Sequence, residues 1–590
     1  MTPHRCPSSH RREVSLVLGI LVALCAAVAR AETPVTTALC GHIHLVSDHK
    51  VEATDMERRL ACGDDKNPPW SDVPANQAKL FLSSFLQGRG YYRPTFTIVD
   101  ERMVVALGEA TLVQEIQTQG APPTLLISRY WQPPGKPLTP KLLDDLEDWV
   151  RSELKATGYP CPTVTSRANT DTGQITVSMV AGAKQVIAAI EADDVPGVDP
   201  GVIRRNDAFH VGDEFNNNWL GLTANRITRK DLLLSTHFFA RCTPAGAMVS
   251  QKSIPGLPRQ ATAGFGYNTE RGPLARATFH NSRLDRTASS YTLNLQLSQR
   301  LQNFTARGEW YVLREPTRFH IEPMLQIQRA DENTFEARSG KIRLAPASTF
   351  DNATYGVAFA FGPALELVRT IRGDGPVYSH IVALDGEARF MTHDFEYYHP
   401  TPRSGYAFGL GSTLAMRALG SGVDFQRLMF DGQALWNVRD LAPPLVVLGM
   451  RGSVASTVIG AGPEHLAQLP PMYRHFLGSS TNMRGFAREA LPTGGKGALT
   501  AAYLGLEARL AAGLPAGLQP LLFYDLGKTG RTSLQLDRPL YYSPGLGMRW
   551  QSPLGSLRLT AARGMVAHAS ADERRGLERW VFYLSFGEEF

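Results

Sequence analysis

Alternation of apolar and polar residues is the feature that most limits how this chain folds, and it runs from about Gln260 to the carboxyl end. The clearest runs cover residues 293–298, 406–410 and 580–586. Successive side chains of a strand lie on opposite faces, and a transmembrane β-barrel has an apolar lipid-facing set and a polar or small lumen-facing set. About 330 residues, at roughly 20 per strand and connection, predict about 16 antiparallel strands.

An export signal is predicted at residues 1–31. Basic residues between positions 5 and 12 precede an apolar run over 14–29, and the small residues Ala29 and Ala31 mark the cleavage site. The run is about 16 residues, shorter than the roughly 20 that a membrane helix needs, so we expect cleavage after Ala31 rather than an anchor. No later apolar run reaches that length.

A barrel is therefore the expected membrane-spanning structure, because only helices and closed barrels satisfy every backbone hydrogen bond in lipid. Alternation alone also fits a soluble all-β domain. The export signal and the aromatic terminal residue Phe590 favour the membrane barrel.

The composition agrees with strands and tight turns, with 53 glycines, 9% aromatic residues and 20% charged residues. The length allows several domains of about 100–200 residues each. A net charge of +6 is too small to indicate a nucleic-acid partner, and we interpret it as a property of the solvated surface.

Four cysteines remain after the signal, and all of them lie in the first half of the chain. Four cysteines allow three pairings. Cys40 with Cys62 is the local choice, and Cys161 with Cys242 would then tie two modules together. Free buried thiols are the alternative. The spacing includes no C-x-x-C pair, so it does not indicate a zinc site.

An internal repeat organises residues 35–255. The pattern G-Y-x-x-P-T-apolar occurs at 90–96 and again at 158–164, each time after a predicted helix and before two strand-like runs. The second helix begins at Pro140, where Thr139 is the expected cap. Repeats of this length predict stacked modules.

A third unit is expected over 186–255. It has a predicted helix near 217–229 and a predicted strand at 232–241, but the sequence pattern does not identify its last strand. We therefore expect this unit to be degenerate.

The last 120 residues hold an ordered set of motifs. Residues 478–486 fit a G-x-x-x-x-R-G-[YF] loop, 506–509 an E-x-R strand, and 523–527 an F-x-D-x-G strand, with a glycine-rich segment at 545–555. Residues 264–273 are similar to a first barrel strand. The set resembles the outer-membrane assembly and secretion barrels of the BamA/TamA family, which also includes the two-partner secretion transporters.

The resemblance implies the architecture. The amino-terminal half would consist of α+β POTRA modules of order β-α-α-β-β in the periplasm, followed by a barrel in a Gram-negative outer membrane. The implied boundaries are a signal at 1–31, POTRA modules at 35–120, 121–185 and 186–256, and the barrel at 257–590. Three modules favour the TamA branch over BamA, with five, or the two-partner transporters, with two.

The resemblance also implies a site inside the barrel, where the motif loop folds back and its arginine meets wall carboxylates. The guanidinium plane suits bidentate binding of a carboxylate and keeps its charge. Gly485 would let the loop turn tightly and Phe486 would pack against the wall. The residues of this lumen-loop site are Arg484, Gly485, Phe486, Glu507, Asp525 and Gly527.

The barrel would close between its first strand, near 261–269, and its last, near 580–590. In the family such a seam opens sideways and templates a client strand. The expected seam residues are Gly264, Gly266, Trp580, Phe586 and Phe590.

The implied partners are the outer-membrane lipid bilayer, unfolded outer-membrane or secreted clients, and a TamB-like partner that spans the periplasm. The function implied is insertion or secretion of β-rich, autotransporter-like clients. The alternatives are a transporter dedicated to one secreted protein and, less favoured, a passive porin.

Enzyme motifs are not found in the sequence. There is no G-x-S-x-G, and residues 494–497 lack the Ser/Thr that follows Lys in a phosphate loop. His42 and His44 lack a third metal ligand in the sequence pattern. The acidic helix face at 144–148 is interpreted as solvated surface. We therefore predict no catalysis, no cofactor and no metal.

Overall fold

The computed structural model describes residues 35–587 except 49, 65–66, 124, 126–133, 194, 197, 314–317, 353, 394, 399–403, 439–443, 460–462, 512–513, 515–516 and 553–554. The predicted signal and Phe590 lie outside the described residues. None of the helices in the described part is long and apolar enough to cross a membrane. The chain forms two units that divide between Gln185 and Val186.

The first module of the first unit is a four-stranded sheet with two helices. A capping box between Thr54 and Glu57 starts the first helix. The expected β-α-α-β-β order gains one strand, because a hairpin places β1 beside β2 at the edge of the sheet. The elements are β1 (Val35–Cys40), β2 (Ile43–Ser47), α1 (Asp55–Cys62), α2 (Ala75–Gln87), β3 (Thr95–Val99) and β4 (Arg102–Ala106).

The disulfide between Cys40 and Cys62 is confirmed, and it joins the end of β1 to the end of α1. The pairing of Cys161 with Cys242 would connect the two units and stays a prediction.

The second module consists of β5 (Glu115–Gln119), α3 (Pro140–Ala156), β6 (Thr163–Asn169) and β7 (Gln174–Val180). Thr139 caps α3 as expected, accepting a hydrogen bond from the Leu142 amide. The expected boundary at residue 120 is wrong, because β5 pairs in parallel with β7 and so belongs to this module. The pattern missed β5 because its residues are mostly polar and exposed.

The third module opens the second unit with β8 (Ile187–Ala192), α4 (Pro200–Arg204), α5 (Asn217–Arg229), β9 (Leu233–Thr243) and β10 (Gly246–Pro255). The expectation of a degenerate module is wrong, since β10 is the strand that the pattern did not identify. It lies at the centre of the sheet, between β8 and β9. Its polar residues Ser250 and Gln251 are buried, which hides the usual alternation.

A closed barrel follows and confirms the predicted strand number, with sixteen antiparallel strands when β26 is counted as the continuation of β25 past Gly564. One helix, α6 (Ala571–Leu577), lies in the connection before the last strand. The strands are β11 (Arg259–Asn268), β12 (Gly272–Asn281), β13 (Ser290–Ser298), β14 (Leu301–Glu309), β15 (His320–Asp331), β16 (Glu336–Asp351), β17 (Tyr355–Arg372), β18 (Tyr378–Thr392), β19 (Gly405–Ala415), β20 (Phe425–Asn437), β21 (Val446–Val458), β22 (Thr500–Leu510), β23 (Leu518–Gly530), β24 (Leu540–Ser552), β25 (Gly555–Arg563), β26 (Met565–Ala567) and β27 (Trp580–Phe586).

The predicted alternation is present in the barrel. On β17 the apolar residues Leu365 and Leu367 are exposed on the outer face, whereas Glu366 faces inward and is buried. Inward charges are paired across strands, as for Lys341 with Asp385. The strands therefore present an apolar outside and a polar lumen.

Helix α5 fixes the third module to the rim of the barrel through two ion pairs. The Arg226 guanidinium lies 2.6 Å from an Asp351 carboxylate oxygen at the end of β16. One turn later, Lys230 Nζ lies 2.8 Å from Glu309 Oε2 at the end of β14. Because residues four apart share one helix face, the two contacts act together against the rim.

A pH dependence follows from Asp207, which lies between α4 and α5 and lines a cavity of about 1520 Å³. Burial raises the pKa of Asp207 to about 7, against the attraction of His210, Arg204 and Arg226. Between about pH 4 and 7 the folded carboxyl holds a proton that the unfolded one releases, so folding stability falls as pH rises through this window.

We expect the third module of the full-length protein to unfold at a lower urea concentration at pH 8 than at pH 5. The measurement is the fluorescence of Trp219 on α5 as urea is added. Asp207→Asn should flatten the pH dependence by removing the titrating group. An equally steep dependence in this variant would contradict the assignment.

Candidate functional site

The connection between β21 and β22 folds back into the barrel. Its described part, residues 463–499, includes two short 3-10 helices, Pro463–Gln468 and Pro471–Tyr473. Paired backbone hydrogen bonds between Leu477 and Leu491 close a narrow neck. Beyond that neck the loop is buried against the inner wall, with Met483 and Phe486 in an apolar cluster that includes Tyr541.

Arg484 is at the centre of this buried loop, with its side chain only 3% exposed. Its Nε and Nη2 donate to the two oxygens of Asp525, at 2.9 and 2.8 Å. Its Nη1 donates to Glu507 Oε2 at 2.6 Å, and the Phe523 ring centroid lies 3.4 Å from the guanidinium carbon. One guanidinium thus uses its planar fork on two carboxylates and its face on an aromatic ring.

Strand alternation places both carboxylates on the inner wall. Glu507 lies on β22 and Asp525 on β23, each at a lumen-facing position. Gly505 is paired with Asp525, and a Cβ there would lie 2.2 Å from the Tyr503 hydroxyl. Gly527 leaves room for the loop, because its Cβ would lie 2.6 Å from Met483 Sδ. Gly505 thus leaves room for the Tyr503 side chain beside Asp525, and Gly527 lets the loop lie directly on the wall.

Gly485 has a different role from the tight turn that the sequence suggested. Its φ is not in the left-handed region. A Cβ at this position would lie 2.5 Å from Ser543 Cβ and 2.6 Å from the Gly564 amide nitrogen. Glycine is therefore required for close approach of the loop to the wall. Phe486 is buried and packs edge-on against Tyr541 at 5.8 Å.

A cluster of arginines surrounds this core and was not predicted. Arg509 donates to Glu507 and to the Tyr397 carbonyl. Arg451 donates to the Thr481 carbonyl of the loop at 2.8 Å and lies over the Tyr397 ring. Only the E-x-R motif offered a sequence signal, for Arg509. The other partners depend on the path of residues 395–398 into the lumen.

The loop also contacts strands on both sides of the barrel closure. Arg488 pairs with both oxygens of Glu332, at 2.7 and 2.6 Å, and the Ser480 amide donates to Glu270 Oε2 at 2.9 Å. On the other side, the Tyr583 hydroxyl of β27 donates to the Phe486 carbonyl at 2.6 Å. The loop is thus bonded to elements near both the first and the last strand.

The barrel closes through a short run of residue pairs between its first strand, β11, and its last strand, β27. Within the described residues, two residue pairs, Tyr267 with Phe586 and Asn268 with Ser585, join β11 to β27, and the Thr269 amide also donates to the Leu584 carbonyl. Ten pairs join β11 to β12, and seven join β25 to β27. Residues 259–263 of β11 are exposed at every position, on both faces. This edge of β11 has no strand partner on the seam side within the described part of the chain.

The predicted seam residues take different positions. Phe586 belongs to one of the two pairs, and Gly266 allows its close approach, since a Cβ would lie 2.7 Å from the Phe586 carbonyl oxygen. Gly264 lies on the unpaired part of β11, opposite Arg276 of β12. Trp580 is paired with Arg563 of β25, at the opposite end of β27 from the two seam pairs.

A metal site is not formed by any group of His, Cys, Asp and Glu side chains among the described residues. His42 instead packs edge-on against Trp70, with ring centroids 4.8 Å apart. On the acidic helix face, Asp145 and Asp148 form exposed pairs with Lys141 and Arg151.

Residues 382–590 match the model of the Omp85 superfamily domain. Among solved structures, the fold is similar to BamA from Haemophilus ducreyi lacking POTRA domains 1–3, with a TM-score of 0.52 and 14% identity over 81% of this chain and 100% of that chain. CdiB from Escherichia coli gives a TM-score of 0.48 and 14% identity, over 87% of this chain and 97% of the other. A search of curated protein sequences found no match.

Arg484→Ala is expected to destabilise the folded barrel by about 3–5 kcal/mol, because it leaves the buried Asp525 carboxylate without its ion pair and Glu507 with Arg509 alone. Arg484→Lys should restore only part of this, since an ammonium lacks the planar fork. The readout is the temperature at which the folded band converts to the unfolded one on gels. Arg417→Ala, at an exposed pair with Asp424, is the control. Wild-type heat stability in Arg484→Ala would refute the expectation.

Proposed function

Because this chain belongs to the Omp85 superfamily, whose domain it carries at residues 382–590, we propose that it inserts β-rich client proteins into the outer membrane or helps to secrete them. It is an outer-membrane protein of a Gram-negative cell, with its amino-terminal modules in the periplasm. Superfamily members insert or secrete other proteins. The autotransporter-like character of the clients, the TamA branch and a TamB-like partner belong to the proposal.

The short ladder between β11 and β27 is the observation that carries this proposal. In the described part of the chain, two residue pairs join β11 to β27, where neighbouring strands have seven or ten. An unpaired strand edge presents free N–H and C=O groups, to which an extended chain can add. A client strand would add to β11 along residues 259–266 while the seam opens sideways into the lipid.

The modules supply further strand edges. Each of the three sheets ends in strands that have one neighbour only, for example β6 in the second module and β8 in the third. Edge strands bind extended segments through backbone hydrogen bonds. In this proposal the modules hold unfolded clients in the periplasm, and client folding and burial provide the driving force without a chemical step.

In this proposal, the loop around Arg484 holds the two sides of the seam together from inside the lumen. Its ion pairs fix it to β22 and β23, while Ser480 and Phe486 bond to Glu270 and Tyr583 on the two sides of the seam. A loop anchored at Arg484 therefore resists separation of β11 from β27. Opening of the seam would have to break or stretch these two lateral bonds, while the buried ion pairs keep the loop in place.

Depletion of the protein followed by outer-membrane proteomics tests the function. We expect loss of a few autotransporter-type proteins while most barrels persist. Broad loss of barrels would indicate a general assembly role instead. Loss of one secreted protein alone would support the alternative, a transporter dedicated to one partner. An unchanged outer-membrane and secreted proteome would contradict the proposal.

A disulfide across the seam tests whether β11 and β27 must separate for the protein to act. Asn268→Cys with Ser585→Cys joins residues that face each other in the short ladder, and the described barrel has no native cysteine. Oxidation should reduce client assembly at least tenfold, and a reductant should restore it. Thr278→Cys with Asn294→Cys, across the fully paired β12 and β13, is the matched control. Full activity of the oxidised seam variant would exclude lateral opening there.

A further inference from the structure

The outer face of the barrel holds two arginines where neighbouring positions are apolar. Arg338 on β16 and Arg369 on β17 lie directly opposite each other in the ladder, and both are exposed. Further along the same face of these strands are Ile342, Leu344 and Leu365, all exposed. Cations on the lipid face of a barrel are costly near the midplane and tolerated only near the interfaces. The pair therefore marks an interfacial level.

The position along β16 tells which interface this is. Asp351, at one end of the strand, is bound by Arg226 of the third module. Arg338 lies thirteen residues away, which is roughly 43 Å along a strand at 3.3 Å per residue. With a strand tilt of about 40°, this is roughly 33 Å along the barrel axis, more than the apolar band of about 25 Å. Since the module is periplasmic, Arg338 and Arg369 lie at the outer leaflet.

The charge of this pair is not balanced within the described part of the chain. Directly opposed like charges on a sheet destabilise it. Glu336 and Asp331, two carboxylates on the same rim, form ion pairs with Arg329 and Arg372. No ion pair joins Arg338 or Arg369 to a carboxylate among the described residues. The Arg369 guanidinium lies over the Tyr378 ring, 5.4 Å from its centroid.

A groove adjoins the two arginines. It has a volume of about 510 Å³ and is lined by residues of β16, β17 and β18, including Gly340, Leu367 and His380. Gly340 faces outward, and a Cβ there would meet nothing within 4 Å, so the strand surface is open at that point. The groove thus has a cationic, hydrogen-bonding end beside an apolar floor, the arrangement that fits an anionic amphiphile.

We propose that Arg338 and Arg369 bind a phosphate of the phosphorylated glycolipid, lipopolysaccharide, that forms the outer leaflet of Gram-negative outer membranes. Each guanidinium presents parallel N–H donors that match phosphate oxygens. One phosphate between them would remove the repulsion of the opposed cations. The acyl chains would lie over Leu367 and the apolar residues below it. The proposal depends on the outer-membrane location and is independent of which client the protein handles.

The test uses full-length protein in detergent and purified bisphosphorylated lipid A as the probe, with binding measured by native mass spectrometry. Arg338→Ala with Arg369→Ala should weaken binding at least tenfold. Arg338→Lys with Arg369→Lys keeps both charges but loses the forks, so we expect an intermediate loss of a few fold. Arg417→Ala, with its exposed pair to Asp424, should bind as the wild type does. Heat-dependent gel migration establishes that each variant is folded.

The ligand arms separate the sources of phosphate. Dephosphorylated lipid A should bind the wild type weakly. Its affinity should be no higher than the affinity of bisphosphorylated lipid A for the double alanine variant. Phosphatidylglycerol and millimolar inorganic phosphate should not displace bound lipid A. Equal lipid A binding by wild type and the alanine variant would overturn the proposal. Equal binding of phosphate-free lipid A, or displacement by inorganic phosphate alone, would overturn the assignment to this lipid.

Discussion

The buried contact of Arg484 with Asp525 and Glu507 is the interaction on which the interior of the barrel depends. A guanidinium with 3% of its side chain exposed is stable there only because two carboxylates and an aromatic ring replace its water. The arrangement requires close approach of the loop to the wall, and Gly527 of the wall and Gly485 of the loop permit it. Removing Arg484 leaves the buried Asp525 carboxylate without an ion pair, whereas Glu507 keeps Arg509.

The same loop connects parts of the barrel that are far apart in sequence. From the Arg484 anchor it reaches Glu332 through Arg488, Glu270 through Ser480, and Tyr583 through Phe486. Between the described parts of β11 and β27 there are two residue pairs, where β11 and β12 have ten. Contacts from inside therefore contribute a substantial part of what holds its first and last strands in place.

Much of this fold could be predicted from residue patterns. The helix at 140–156 follows from apolar periodicity and the Thr139 cap, the helix at 75–87 from its place in the repeat, and the barrel from alternation and length. Strands β5 and β10 were missed because one is polar and exposed and the other buries Ser250 and Gln251. In the lumen, the resemblance to the assembly and secretion barrels implied the meeting of Arg484 with Glu507 and Asp525. The pairing of Arg488 with Glu332 joins residues 156 positions apart and depends on the loop path, which no local pattern encodes.

Residues 259–263 of β11, which have no strand partner on the seam side among the described residues, have a consequence for evolution. Backbone amides and carbonyls are the same in every residue except proline. An unpaired strand edge therefore binds any extended segment that runs in the right direction, whatever its side chains. A protein that pairs with such an edge is free to change nearly all of its sequence while keeping its register. Under the proposed function, one copy of this barrel could thus serve clients of widely different sequence without changing itself.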